Sequence, residues 1–206
     1  MHEELNNILQ RVHTLYRKYG IKSVTMDDVS RELGISKKTL YQYVHDKDEL
    51  VRKVIEFELS QHQGHYHESL REKLNAIEEL AEIARCISFM LKEYSPVTEY
   101  DLRKYYPDLY FRAREIRRER IHKFILDNLI KGKKEGLYRE NLNTDILAKF
   151  SLSNIDGMFE SDIITISEFL DQQFFLEYFV YHLRGIVSEK GLAILDSTLR
   201  TYEIVI

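Results

Sequence analysis

Residues 23–50 read SVTMDDVSRELGISKKTLYQYVHDKDEL, and the spacing inside them decides the fold. Thr25 precedes Met26, Asp27 and Asp28, a Thr-x-x-Asp start resembling a capping box. Met26, Val29 and Leu33 then line one face before Gly34 ends the segment. This predicts a helix of about two turns. After a Gly34-Ile35 turn, Ser36 can cap a third short helix whose inward positions are Leu40 and Val44. Lys37, Lys38, Tyr41, Gln42 and His45 share its outward face, which sets hydrogen-bonding groups around an aromatic ring. Such a face suits a major groove.

Asp46 begins a further helix, with Glu49 completing its box and Leu50, Val51, Val54 and Ile55 turned inward. Lys47 falls in the first turn of that helix. An ammonium beside free backbone N–H groups and the positive end of the helix dipole calls for an anion, and a DNA phosphate is a natural one. Upstream, Leu5, Ile8, Leu9, Val12, Leu15, Tyr16 and Tyr19 recur at helical spacing, and Gly20 is a plausible left-handed stop. Two short helices joined by a tight glycine turn, the second capped and polar outside, form a helix-turn-helix. A small helical hairpin with solvated charges fits the same spacing.

The stretch Ser23 to Leu50 resembles the DNA-binding signature of the tetracycline-repressor (TetR) family nearly from end to end. Thr25 matches the family's Thr at the start of the second helix. Gly34, Thr39-Leu40-Tyr41, Tyr43, Lys47 and Leu50 match its turn, its recognition helix and its phosphate-contacting lysine. The resemblance implies that Lys37, Lys38, Thr39, Tyr41, Gln42 and Tyr43 contact DNA from the recognition helix. Tyr43-Val44 stands where the family often has His-Phe, which keeps an aromatic followed by an apolar residue. Lys37 could pair with guanine edges and Gln42 with adenine edges, the register depending on tilt in the groove.

The whole chain fits an all-α protein. Its 206 residues contain two prolines and eight glycines, little punctuation for long stretches of helical periodicity. The expected division is a DNA-binding domain over 1–60 and an effector-binding and dimerisation domain over 61–206. Net charge is −4 and the pI is near 6.1, so any DNA contact must be local rather than a product of bulk charge. Residues 1–50 themselves balance eight basic against eight acidic side chains. Cys86, the single cysteine, reads as core in a reducing compartment. Glu3 and Glu4 stand where a secretory signal would be positive, and no apolar run reaches membrane-spanning length, so a cytoplasmic protein without membrane association is expected.

Beyond residue 60, Leu70 to Tyr94 predicts a long central helix, about Thr98 to Tyr106 a shorter one, and Pro107 the first turn of a helix stopping around Gly132 to Gly136. Asn143 or Thr144 can cap another, and a final run spans Glu168 to Val187. Phe89, Tyr94, Tyr100, Tyr105, Tyr106, Tyr110, Phe111 and Phe124 are candidate linings of an apolar effector pocket with polar tips, or ordinary core and surface. The last run is too wide for one buried stripe and calls for neighbours on two sides. The resemblance implies that the last two long helices pair with their copies in a dimer, through Phe150, Ile155, Phe159, Phe175, Phe179, Leu183 and Ile186; burial inside a monomer is the alternative. A twofold axis would bring two recognition helices to major grooves about 34–36 Å apart on a palindromic operator.

Two clusters compete for attention. His62, His65 and His67 invite a metal reading, but a glycine intervenes and no carboxylate accompanies them until Glu68, which favours a solvated junction between domains and no metal. Arg112, Arg114, Arg117, Arg118, Arg120 and Lys123 have Glu115 and Glu119 interleaved, which favours a solvated ion-paired face. No phosphate loop, zinc pattern or nucleophile elbow occurs, so neither an enzyme nor a cofactor is expected. The expectation is a dimeric regulator, a repressor released from its operator by a small-molecule effector. The alternative is a helical dimeric interaction protein that has lost DNA binding.

Overall fold

The computed structural model describes residues 2–61, 73–92, 94–159, 161–165, 168 and 171–201. Its helices are α1 (His2–Tyr19), α2 (Met26–Leu33), α3 (Lys37–Leu40), α4 (Lys47–Gln61), α5 (Ala76–Lys92), α6 (Pro96–Tyr105), α7 (Pro107–Lys134), α8 (Thr144–Phe159), α9 (Gln172–Ile186) and α10 (Glu189–Thr201). The described residues contain no strand; one antiparallel bridge joins Tyr138 to Val187. No described helix is long and apolar enough to cross a membrane.

By packing, the chain divides into two compact units, Met1–His65 with Tyr94–Arg117, and Tyr66–Glu93 with Arg118–Ile206. A boundary drawn at 60/61 therefore follows the chain but not the packing, because α6 and the start of α7 fold with the first helices. The cause is local to the end of α1. The Thr98 hydroxyl donates to Tyr16 O (2.7 Å), the Ser95 hydroxyl to Arg17 O (2.8 Å), and the buried Asp101 carboxylate accepts from Lys22 N (2.7 Å). Gly20, at φ 81°, closes α1 where an added Cβ would meet Val97 at 2.7 Å. Leu102, Tyr110 and Ala113 join Leu9, Val12, Tyr16 and Leu50 in a single core.

The second unit is built around Ile77, Leu129, Tyr138, Leu183 and Leu195. Within it lies Glu79, fully enclosed, whose carboxylate accepts from Lys131 Nζ (3.1 Å) and Asn128 Nδ2 (3.3 Å). The Tyr138 hydroxyl donates to Asn128 Oδ1 (2.8 Å), and burial pushes the phenol far above its ordinary range. A buried carboxylate is tolerable only when paired and hydrogen-bonded in this way. Lys133 Nζ donates to Leu142 O (2.8 Å) near one end of α8, and Arg118 pairs with Asp156 (2.9 Å) near the other, which sets α8 antiparallel to α7.

Three helical expectations are corrected. The central helix begins at Ala76 and not near Leu70: the Asn75 side chain accepts from Ile77 N and Glu78 N, while Asn75 N donates to Glu78, a box that sets the start. The shorter helix starts two residues earlier than expected, because Pro96 occupies its first turn under a Ser95 cap. The final run begins at Gln172 under an Asp171 cap, and a further helix, α10, follows it. The Ser188 hydroxyl caps α10 by accepting from Gly191 N (3.0 Å). A Cβ on Gly191 would lie 2.0 Å from Leu137 O, so this glycine is a point of close approach.

Candidate DNA-contacting surface

The helix-turn-helix forms where its caps place it. Thr25 Oγ1 accepts from Asp28 N (3.2 Å) while Thr25 N donates to Asp28 Oδ2 (2.9 Å), and these bonds hold the Asp28 carboxyl below its usual range. Gly34, at φ 71°, ends α2 with its N–H on Arg31 O, and Ile35 N reaches Ser30 O (3.1 Å), a double closure that only a left-handed residue completes. Arg11 of α1 donates to the remaining carbonyls of Glu32 and Leu33. Ser36 then accepts from Thr39 N (3.0 Å) and starts α3, while Leu40 and Val44 are buried as expected. The Glu49 carboxylate accepts from His45 N (2.6 Å), one residue before the Asp46 cap, which itself accepts from Glu49 N (2.8 Å).

This leaves Lys37, Lys38, Tyr41, Gln42 and His45 exposed together, with Tyr41 46% exposed. The remaining expected contacts are more committed. Lys37 Nζ lies 2.7 Å from Asp27 Oδ1, a pairing that raises the lysine's pKa. The Thr39 hydroxyl lies 2.8 Å from that of Ser36. Tyr43 is half-buried, its phenol bonded to Glu4 of α1 and its carbonyl accepting from Lys53 (2.7 Å). Lys47 is partly buried, with Nζ donating to Lys22 O (3.2 Å); desolvation and the neighbouring Lys22 charge lower its pKa.

The aromatic residues proposed for a pocket are divided between the two units. Tyr100, Tyr105 and Phe111 are exposed on the first unit. Tyr106 donates to Asp48 Oδ1 (3.0 Å), and Tyr110 packs in the core with an edge contact to Phe111. Tyr94 is half-buried and its phenol is pushed up to about 12 by burial. Phe124 is half-buried in the second unit, and the Phe89 side chain lies outside the described residues. Of the apolar residues proposed for a dimer contact, Leu183 and Ile186 are enclosed by the second unit's own core. Phe150 is 62% exposed, Ile155, Phe175 and Phe179 are intermediate, and Phe159 lies outside the described side chains.

The histidine group at 62, 65 and 67 also lies outside the described residues. Among the described residues no cluster of His, Cys, Asp or Glu could hold a metal. In the arginine-rich stretch, Arg117 approaches Glu58 (3.7 Å) and Arg118 pairs with Asp156, so long-range carboxylates balance two of its guanidinium groups. Sequence reasoning missed Lys22, Tyr100, Lys104 and Tyr105 as a group, since 78 residues or more separate Lys22 from the other three.

The family described as "Bacterial regulatory proteins, tetR family" matches residues 8–54, the span from α1 into α4. The HTH-type transcriptional regulator YvaF of Bacillus subtilis is 27% identical over 158 residues, covering 75% of this chain and 80% of that protein. The HTH-type transcriptional repressor KstR2 of Mycolicibacterium smegmatis is 27% identical over 149 residues, covering 70% and 72%. In fold, the chain is similar to a transcriptional regulator from Cytophaga hutchinsonii, with a TM-score of 0.73 at 16% identity over 90% of this chain and 99% of that one. A regulator from Saccharomonospora viridis in complex with choline is also similar, with a TM-score of 0.56 at 18% identity over 92% and 100%. The matched helix-turn-helix, the related regulators and the shared all-helical fold agree: residues 8–54 match the tetR family of bacterial regulatory proteins, and the chain is similar over most of its length to transcriptional regulators.

Proposed function

We propose that the chain is a cytoplasmic repressor that binds a palindromic operator as a homodimer and leaves it when a small molecule binds. The observation that carries the DNA reading is the exposed Lys37, Lys38, Tyr41, Gln42 face of α3, held between the capped starts of α2 and α4. Tyr41 and Gln42 read base edges, Thr25 and Lys47 take phosphates, and Lys37 exchanges Asp27 for DNA. Thr39, Lys38 and the edge of Tyr43 complete the contact.

Dimerisation is supported by what α8 and α9 leave uncovered. Ile146 and Phe150 lie one turn apart at 63% and 62% exposure, and Tyr181 is 80% exposed. Gly157 and Gly185 lie within the same two helices with nothing within 4 Å of an added Cβ, although a helical glycine costs about 1 kcal/mol relative to alanine. A second copy approaching closely there gives both glycines a purpose.

The effector reading draws on two buried polar atoms of the second unit. His122 Nε2 on α7 and Ser151 Oγ on α8 have no hydrogen-bond partner among the described residues, and the antiparallel register of these helices brings the two positions to similar heights. Buried unsatisfied polar groups call for an occupant, and a compact amphipathic molecule is one. A fold relative that holds choline is consistent with such a ligand.

The test is selection from a random duplex pool, followed by anisotropy titration of wild type, Tyr41→Ala and Lys47→Ala over a salt series. A selected palindrome, with Tyr41→Ala losing base preference and Lys47→Ala lowering the salt slope, supports the regulator reading. No enrichment, with both variants like wild type, would leave a helical interaction protein.

A further inference from the structure

Lys22, in the loop between α1 and α2, and Lys104, near the end of α6, direct their ammonium groups at one exposed ring. Lys22 Nζ lies 4.8 Å and Lys104 Nζ 5.4 Å from the centre of Tyr105. Lys104 also lies 5.1 Å from the centre of the Tyr100 ring and donates to its hydroxyl (2.9 Å). Both rings are solvent-exposed, at 41% and 57%. Among the described residues neither lysine has a carboxylate ion pair. Asp101 is buried, and its carboxylate accepts from the Lys22 backbone N–H. Asp48 accepts from the Tyr106 hydroxyl.

Two exposed ammonium groups at one ring, neither ion-paired to a carboxylate among the described residues, offer a place where an anion can dock. The location says which anion. Lys47 Nζ bonds to Lys22 O (3.2 Å), so the ring cluster continues directly from the lysine at the head of α4 and lies three residues before the Thr25 cap. We infer that Lys22, Lys104 and Tyr105 form an auxiliary site for the DNA phosphodiester backbone beside the helix-turn-helix. Phosphate contacts of this kind position the duplex and carry no base information, so the site strengthens binding to every sequence equally. It gives an acidic chain a local cationic strip assembled from three separate parts of the sequence.

This rests on the DNA-binding reading, and its test separates the two. The selected duplex and a scrambled duplex are titrated by anisotropy over a salt series with wild type, the double variant Lys22→Gln/Lys104→Gln, Lys104→Arg, and Lys47→Gln as reference. The double variant is expected to lower the slope of log K against log salt by about 1.8, about 0.9 for each lost phosphate contact, and to weaken both duplexes by the same factor, on the order of tenfold at 0.1 M salt. Lys104→Arg keeps the wild-type slope. Both substituted side chains are exposed, and an unchanged thermal melt accompanies the effect. A double variant with the wild-type slope, while Lys47→Gln lowers it, overturns the auxiliary site alone. Wild type that binds neither duplex overturns the DNA reading and this inference together.

Discussion

Tyr41 and Tyr43 stand two positions apart in the turn that follows α3 and have different work. Tyr41 is exposed at the end of the helix, whereas the Tyr43 phenol is already held by Glu4 and its backbone by Lys53. Tyr41→Ala should therefore flatten base discrimination with little change in thermal midpoint, and Tyr43→Ala should lower the midpoint as well; a melt alongside the titration checks both. A second residue-scale expectation concerns pH. Burial lowers the pKa of His182, which stacks on Tyr178 at 6.4 Å between ring centres. The unfolded chain then binds a proton that the folded one resists, so this contribution to stability is complete above the unfolded pKa of about 6.5 and falls as pH drops below it. Urea midpoints measured from pH 7.5 to 5 should decline less steeply in His182→Gln than in wild type.

At the scale of elements, side-chain caps explain what could be read in advance. Thr25, Ser36 and Asp46 each accept from the backbone N–H three residues on, and Gly34 supplies the left-handed stop, so α2, α3 and the start of α4 were legible from neighbours alone. The association of α6 with α1 was not, because Ser95, Thr98 and Asp101 find partners about 80 residues away. Helix α10 was not expected either, and the need for Gly191 within it is tertiary: the glycine makes room for the Leu137 carbonyl. Leu183 and Ile186 belonged to a stripe too wide to divide by periodicity between the protomer's own core and a partner. The pairing of Glu79 with Lys131 was invisible because 52 residues separate the two. Glu79→Ala leaves Lys131 without its carboxylate in the second unit and should cost about 3–5 kcal/mol, read from denaturant unfolding; Glu79→Gln keeps part of the hydrogen bonding and should cost less.

For the whole molecule, the open glycines make the proposed assembly testable. Gly157→Leu and Gly185→Leu insert side chains where nothing of the same protomer lies within 4 Å, so each should leave the monomer folded while shifting sedimentation from dimer to monomer and weakening operator binding. Substitution at Gly191, which lies against Leu137, should instead unfold the second unit. The discontinuous make-up of the first unit reaches as far as synthesis. Residues 1–65 are synthesised before Tyr94–Arg117 exist to cover the end of α1. At roughly 5–20 residues per second the nascent helices wait about 3–10 s for that segment. During that wait part of the buried face of α1 lacks its cover, and a chain released between residues 65 and 94 would lack part of the first unit's core.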